Sequence, residues 1–307
     1  MRQAGFAQGG ESFMGVPVCD DLAGLRAGAA LIGAGMATPY RSTGAASARA
    51  PGAIRAAAAA LAPLAGCVNF DLGRPGWAEG AVVDCGDLAL DPADAAGNRL
   101  RIRHAVAAVR EAGAVPVLLG GDASVLVPAL QGCEAAAAPL ALVHLGAGIG
   151  WREQWEGERW GAASAVRRGA EMAHVGRILQ IGARGPDTAR PEDLAAAEAR
   201  GACIVPAAAL RRSGVEAALA TLPEGTPVFL ALDLGVFDPA AMPAAAPLRA
   251  GGLGMGEVLE LVQALAGRGR LGGAAVVGLV PGQDIHGEGA ALTAQLLAAL
   301  LGLIAGR

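Results

Sequence analysis

The chain has 307 residues, 53% of them hydrophobic and 17% charged, enough apolar material to bury a large core. Its 24 basic and 28 acidic residues leave a net charge of −4 and no basic stripe, which argues against nucleic acid as a partner. Much of the apolar share is alanine, a helix former with a small hydrophobic payload, so composition favours helices packed around a sheet over a membrane protein.

In chain order, Met1 to Gly5 lacks the apolar core of a signal peptide, and a cytoplasmic protein is expected. Phe13 to Val18 reads as a first strand. Asp20 to Gly44 is Gly-rich and poorly periodic, and reads as a long loop of the kind that serves function or a partner. Pro51 opens a helix running to Leu61. Strands and helices then alternate. Ala81–Asp84 is a strand, Arg99–Ala112 a helix with Leu100, His104, Ala107 and Ala108 on one side, and Val115–Leu119 a strand ending at Gly120-Gly121-Asp122. A helix reaches Leu130, and the apolar run Leu140–Leu145 behind Pro139 has the pattern of a buried parallel strand. After a loop carrying Trp151, Trp155 and Trp160 come helix Ala163–Ala173 and strand Arg177–Ile181. Helices over 191–200 and 206–219 flank a short strand, Cys203–Val205. Strand Val228–Asp233, helix Met255–Ala266, strand Ala274–Val280 and a terminal helix complete the series.

Regular alternation of this kind requires crossover connections. It predicts a three-layer α/β/α fold with a mainly parallel central sheet, and with no linker visible, one domain over residues 1–307. The most membrane-like segment, Ala290–Ala305, includes Thr293 and Gln295 and is shorter than the ~18 apolar residues of a span, which favours a buried or subunit-contact helix. Five scattered cysteines (Cys19, Cys67, Cys85, Cys133 and Cys203) without CxxC spacing read as reduced thiols.

Ligand and metal groups of open α/β sheets project from the carboxyl ends of strands. Three such ends stand out here: Gly120-Gly121-Asp122-Ala123-Ser124, His144 through Gly150, and Leu232 through Pro239. At these loops the sequence resembles the ureohydrolase family of arginases, agmatinases and related amidinohydrolases, and an arginase-like fold is implied. Further pieces follow in order: Phe13–Pro17, Arg41–Gly44 with Pro51–Arg55, Val83–Asp87 as "D-x-G-D", Ile181–Gly185 as "I-G-x-R-G", and Gly251-Gly252-Leu253.

The resemblance implies a dinuclear manganese or nickel centre that activates a hydroxide against a guanidinium carbon. The family holds it with G-G-D-H, D-A-H-x-D and D-x-D. Position by position, this chain has Ala123 for the first His. It has Gly146, Gly148 and Gly150 for the Asp, His and Asp of the second motif. Asp233 matches the first Asp of the third motif, whereas Gly235 replaces the second. Gly278 stands where the family has a guanidinium-binding Glu. One carboxylate cannot neutralise two divalent cations, so no metal and no catalytic residue are expected in this chain.

Three readings follow. In the first, the chain is a metal-less partner subunit in a trimer- or hexamer-type hetero-oligomer. A paralogous catalytic ureohydrolase chain then carries Ni or Mn, an arrangement similar to that of the two-subunit biguanide (metformin) hydrolases. Leu22–Thr38 and Trp151–Trp160 are the segments expected to contact that partner or to rim its active site. The second is an amidinohydrolase with relocated ligands drawn from His144, Asp233, Asp284, His286 and Glu288. The third reads the Gly146–Gly150 glycines as a phosphate nest, for which the Rossmann fingerprint lacks its helix start. A stand-alone regulatory or scaffold protein would also fit a bare pocket. Asp122 and Asp238 read as a helix cap and a turn former.

Overall fold

Residues 6–7, 11–135 and 138–306 are described by the computed structural model. Eleven strands occur among them: β1 (Phe6–Ala7), β2 (Ala29–Ala34), β3 (Val68–Asn69), β4 (Arg74–Pro75), β5 (Val82–Leu88), β6 (Val115–Gly120), β7 (Leu140–Leu145), β8 (Val175–Ala183), β9 (Cys203–Pro206), β10 (Pro227–Asp233) and β11 (Arg270–Val277). The helices are α1 (Ala50–Ala58), α2 (Ala95–Glu111), α3 (Leu126–Gln131), α4 (Ala165–Ala170), α5 (Pro191–Ala199), α6 (Ala207–Leu219), α7 (Met255–Arg268) and α8 (Glu288–Ala305).

Nine strands form one sheet in the order β1-β5-β2-β6-β11-β10-β7-β8-β9. Every neighbouring pair is parallel except β1 with β5. Side chains alternate between two cores, as a strand period of two requires. Ala141, Val143 and Leu145 of β7 join a core with residues of α1, α6, α7 and α8, while Leu140 and Leu142 join a second core with α2, α3, α4 and α5. The helices therefore cover both faces, and the mainly parallel α/β/α architecture is observed.

Several elements differ from expectation. Phe13–Gly15 is a 3-10 turn instead of a strand, because Met14 (φ 50°) and Gly15 (φ 72°) leave the extended region; in this segment Val18 makes an isolated bridge to Asp84. The supposed loop over Asp20–Gly44 contains β2, an interior strand whose six residues are all buried. Its glycines answer close approach and not flexibility: a Cβ on Gly33 would collide with the Asp87 carboxylate, and one on Gly35 with the Ala48 carbonyl. Leu22, Leu25 and Ala29–Ala34 are core, so of the segment expected to contact a partner the exposed positions are Ala23, Gly24, Arg26 and Gly28.

The buried face of α2 is Ile102, Ala105, Val106 and Val109, and Leu100 is exposed. Branched side chains at i, i+4 and i+7 outweigh a lone Leu among alanines in setting the helix phase. β11 starts earlier than expected and stops at Val277, because Gly278 turns to φ +97°. Helix α8 has 18 residues and is long and apolar enough to cross a membrane by length and composition, longer than the sequence suggested. More than half of it is buried in this fold, where it packs on α1 and α7.

Candidate functional site

Parallel registration of β7 and β10 pairs Ala231 with His144 and Leu232 with Leu145. Alternation then aims His144 and Asp233 toward the same face, that of Phe229 and Ala231, at the carboxyl end of the sheet. The two lie on either side of Gly146: a Cβ placed there would sit 2.9 Å from His144 Nε2 and 3.5 Å from Asp233 Cβ. Of the five relocated-ligand candidates, the fold brings these two together.

His144 is buried, and its ring belongs to a closed network. Trp151 Nε1–H, which can only donate, gives its hydrogen to Gln180 Oε1 at 2.6 Å. That fixes the Gln180 amide, whose Nε2 donates to Ile149 O (2.8 Å) and faces His144 Nδ1 at 3.2 Å. His144 Nδ1 is therefore an acceptor, and the neutral ring carries its proton on Nε2. Burial holds the ring neutral by depressing its pKa to about 4. Neither nitrogen offers a free lone pair to a cation. Trp151 is itself fully enclosed, so the network plugs the loop from Gly146 to Trp151 into the core.

Asp233 ends β10 and accepts the Gly235 N–H at 2.8 Å, capping a short 3-10 turn. Enclosure pushes its pKa up to about 6, against the lowering influence of the Gly235 hydrogen bond and of the more distant Arg249 and Arg184 charges. Gly278 closes over the carboxylate. Its N–H donates to Gly121 O at 2.7 Å, and a Cβ there would lie 2.6 Å from Asp233 Oδ1, at a φ of +97°. A glutamate at 278 would need both the backbone and Asp233 to move.

The remaining positions supply no donors. Ala123 begins the 3-10 turn after β6, Gly148 borders open space, Gly150 (φ +65°) abuts Val166, and Gly235 leans on Asp233 Oδ1. Asp122 accepts from Ser124 N at 2.7 Å, and burial raises its pKa. Asp284 accepts from Gly289 N and Ala290 N at the start of α8, where it acts as a helix cap; His286 and Glu288 are exposed. Asp238 accepts from Ala240 N, Gly251 N and Gly252 N in the loop after β10. Among the described residues no three His, Cys, Asp or Glu side chains group as a metal site would require. The donors at this strand end, one capping carboxylate and one committed imidazole, do not fit a pair of divalent cations.

Two residues that organise the site were missed as functional positions. Gln180 is the one polar residue within Ile178–Ile181, and that polar break in an apolar strand was its signal. Arg184, inside the "I-G-x-R-G" piece, donates to the carbonyls of Gly182, Gly235, Val236, Phe237, Arg249 and Ala250. It ties the loop after β10 to the end of β8. The "D-x-G-D" piece likewise proves to be an anchor: Asp84 and Asp87 both pair with Arg55 of α1. Of the three loop tryptophans, Trp151 is core, whereas Trp155 and Trp160 are 42% and 37% exposed beneath the guanidinium groups of Arg152 and Arg99.

The sheet order, the paired strand ends and the ordered motif remnants together define a ureohydrolase-type α/β protein. The arginase family profile matches residues 27–302, and the chain belongs to that family. Guanidinopropionase from Pseudomonas aeruginosa is 30% identical over 242 residues, covering 77% of this chain and 73% of that protein. Mitochondrial agmatinase from Gallus gallus is 27% identical over 230 residues, covering 73% and 67%. The structure of proclavaminate amidino hydrolase from Streptomyces clavuligerus superposes with a TM-score of 0.80 at 27% identity, over 98% of each chain.

Proposed function

We propose that this chain is a non-catalytic, metal-less member of the arginase family, serving as a subunit beside a paralogous chain that holds the metal. The observation that carries this reading is the donor set. Where the family motifs call for His, Asp, His, Asp and a second Asp, the chain has Ala123, Gly146, Gly148, Gly150 and Gly235. The surviving Asp233 is turned to capping its own loop. Kinship with an agmatinase and a guanidinopropionase supports a guanidine- or biguanide-type C–N bond as the substrate proposed for the partner, with Ni or Mn as its proposed metal. Hydrolysis of metformin to guanylurea and dimethylamine is the particular case that a paired metal-less subunit resembles. Assembly is of the trimer or hexamer type, and Trp155 and Trp160, exposed on the loop after β7, are the contact assigned to the partner.

The same kinship would suit an amidinohydrolase active alone through relocated ligands, but Asp284 caps α8 and the His144 Nδ1 lone pair accepts from Gln180. Co-expression separates the two. Tagged copies of this chain should capture an intact paralogue, and guanidine or biguanide hydrolysis should require both chains. A paralogue that is fully active by itself and never co-purifies would overturn the proposal.

A further inference from the structure

The parallel bridge between Val18 and Asp84 is made by Asp84 N donating to Pro17 O and Cys19 N donating to Asp84 O, both at 2.9 Å. One residue along, Cys19 and Cys85 stand side by side, their side chains on the face opposite Val18 and Asp84. Both side chains lie in the same layer, Cys85 within the second core and Cys19 packed against it. Laterally paired residues on adjacent extended segments are roughly 4.8 Å apart, inside the Cα separations that disulfides span. Cys19 is partly exposed and Cys85 is 2% exposed, so reagents reach one sulfur and the other lies behind it.

We infer that Cys19 and Cys85 form a thiol–disulfide pair: oxidation fastens the segment before β2 to β5, beside the Arg55–Asp84 anchor. With a low-molecular-weight disulfide as oxidant, the Cys19 thiolate attacks one of its sulfurs, breaks the S–S bond and expels one thiolate, which takes up a proton. Cys85, losing its proton, then attacks the Cys19 sulfur and expels the second thiol. Two protein thiols are oxidised, and one disulfide is reduced to two thiols. Burial raises both thiols, Cys85 to about 12, so few are ionised at neutral pH and closure is slow, accelerating as the pH rises.

The test uses the full chain with Cys67→Ser, which removes the exposed thiol that shares a tryptic fragment with Cys85. After incubation with oxidised glutathione at pH 8, alkylation and tryptic mass spectrometry should find Cys19 linked to Cys85, with a melting midpoint several degrees higher. Adding Cys85→Ser should leave glutathione trapped on Cys19, and adding Cys19→Ser should leave Cys85 unmodified. A lasting glutathione adduct on Cys19 with Cys85 intact, a link to another cysteine, or no reaction under conditions that oxidise the unfolded chain would each overturn the inference.

Discussion

Asp84→Ala should cost about 3–5 kcal/mol of folding stability, the range for removing one partner of a buried ion pair. Asp84 is 1% exposed and meets Arg55 with both oxygens: Nε reaches Oδ2 at 2.7 Å and Nη2 reaches Oδ1 at 2.8 Å. The same carboxylate accepts Phe13 N and Gly86 N, both at 2.9 Å, so the substitution also strands backbone donors. Arg55 is 6% exposed and would be left buried with only Asp87 beside it. Denaturant unfolding of the variant measures the loss. The double variant Arg55→Met/Asp84→Ala should recover part of it, because the orphaned guanidinium is gone; a single-variant loss below about 1 kcal/mol would show that the anchor is not what joins α1 to β5.

At pH 7–8, Asp233→Asn should stabilise the chain by about 2 kcal/mol. The carboxyl is lifted from 3.8 to about 6 in the folded state. Each pKa unit is about 1.4 kcal/mol, and the total is discounted for the partial exposure of Asp233. Because the folded form binds the proton more tightly, wild-type stability falls as the pH rises from about 4 to about 6 and stays low above that. Asparagine keeps the acceptor for Gly235 N and removes the ionisation, so its advantage should vanish below pH 4. His144, depressed to about 4, acts in the opposite sense over nearly the same interval, so the difference between variant and wild type isolates Asp233. Melting curves from pH 4 to 8 provide the check. A variant less stable than wild type at pH 8 would mean that the ionised carboxylate is being held by a cation.

The fold was legible where one face or one period dominates. β7 and β10 are apolar runs broken only near their carboxyl ends, by His144 and Asp233, and the start of α7 at Met255 follows from its own period. β2 was not legible, because Gly33 and Gly35 carry the composition of a loop while serving to admit Asp87 and Ala48, which are distant in sequence. The emptied ligand positions could be read from motif order alone. The contacts that now hold the site could not: Gln180 joins Trp151, Ile149 and His144 across two strands and a loop, and Arg184 gathers carbonyls from segments about 50 and 65 residues away. Hydrogen-bond networks between distant segments leave no periodic trace.

The donor geometry at the ends of β7 and β10 is most directly tested by elemental analysis of this chain, expressed alone, supplied with manganese or nickel and freed of loosely bound metal. Only trace metal is expected, with the same melting midpoint with or without the cations. Near-stoichiometric manganese or nickel retained by the chain, lost on substituting Asp233, would contradict it.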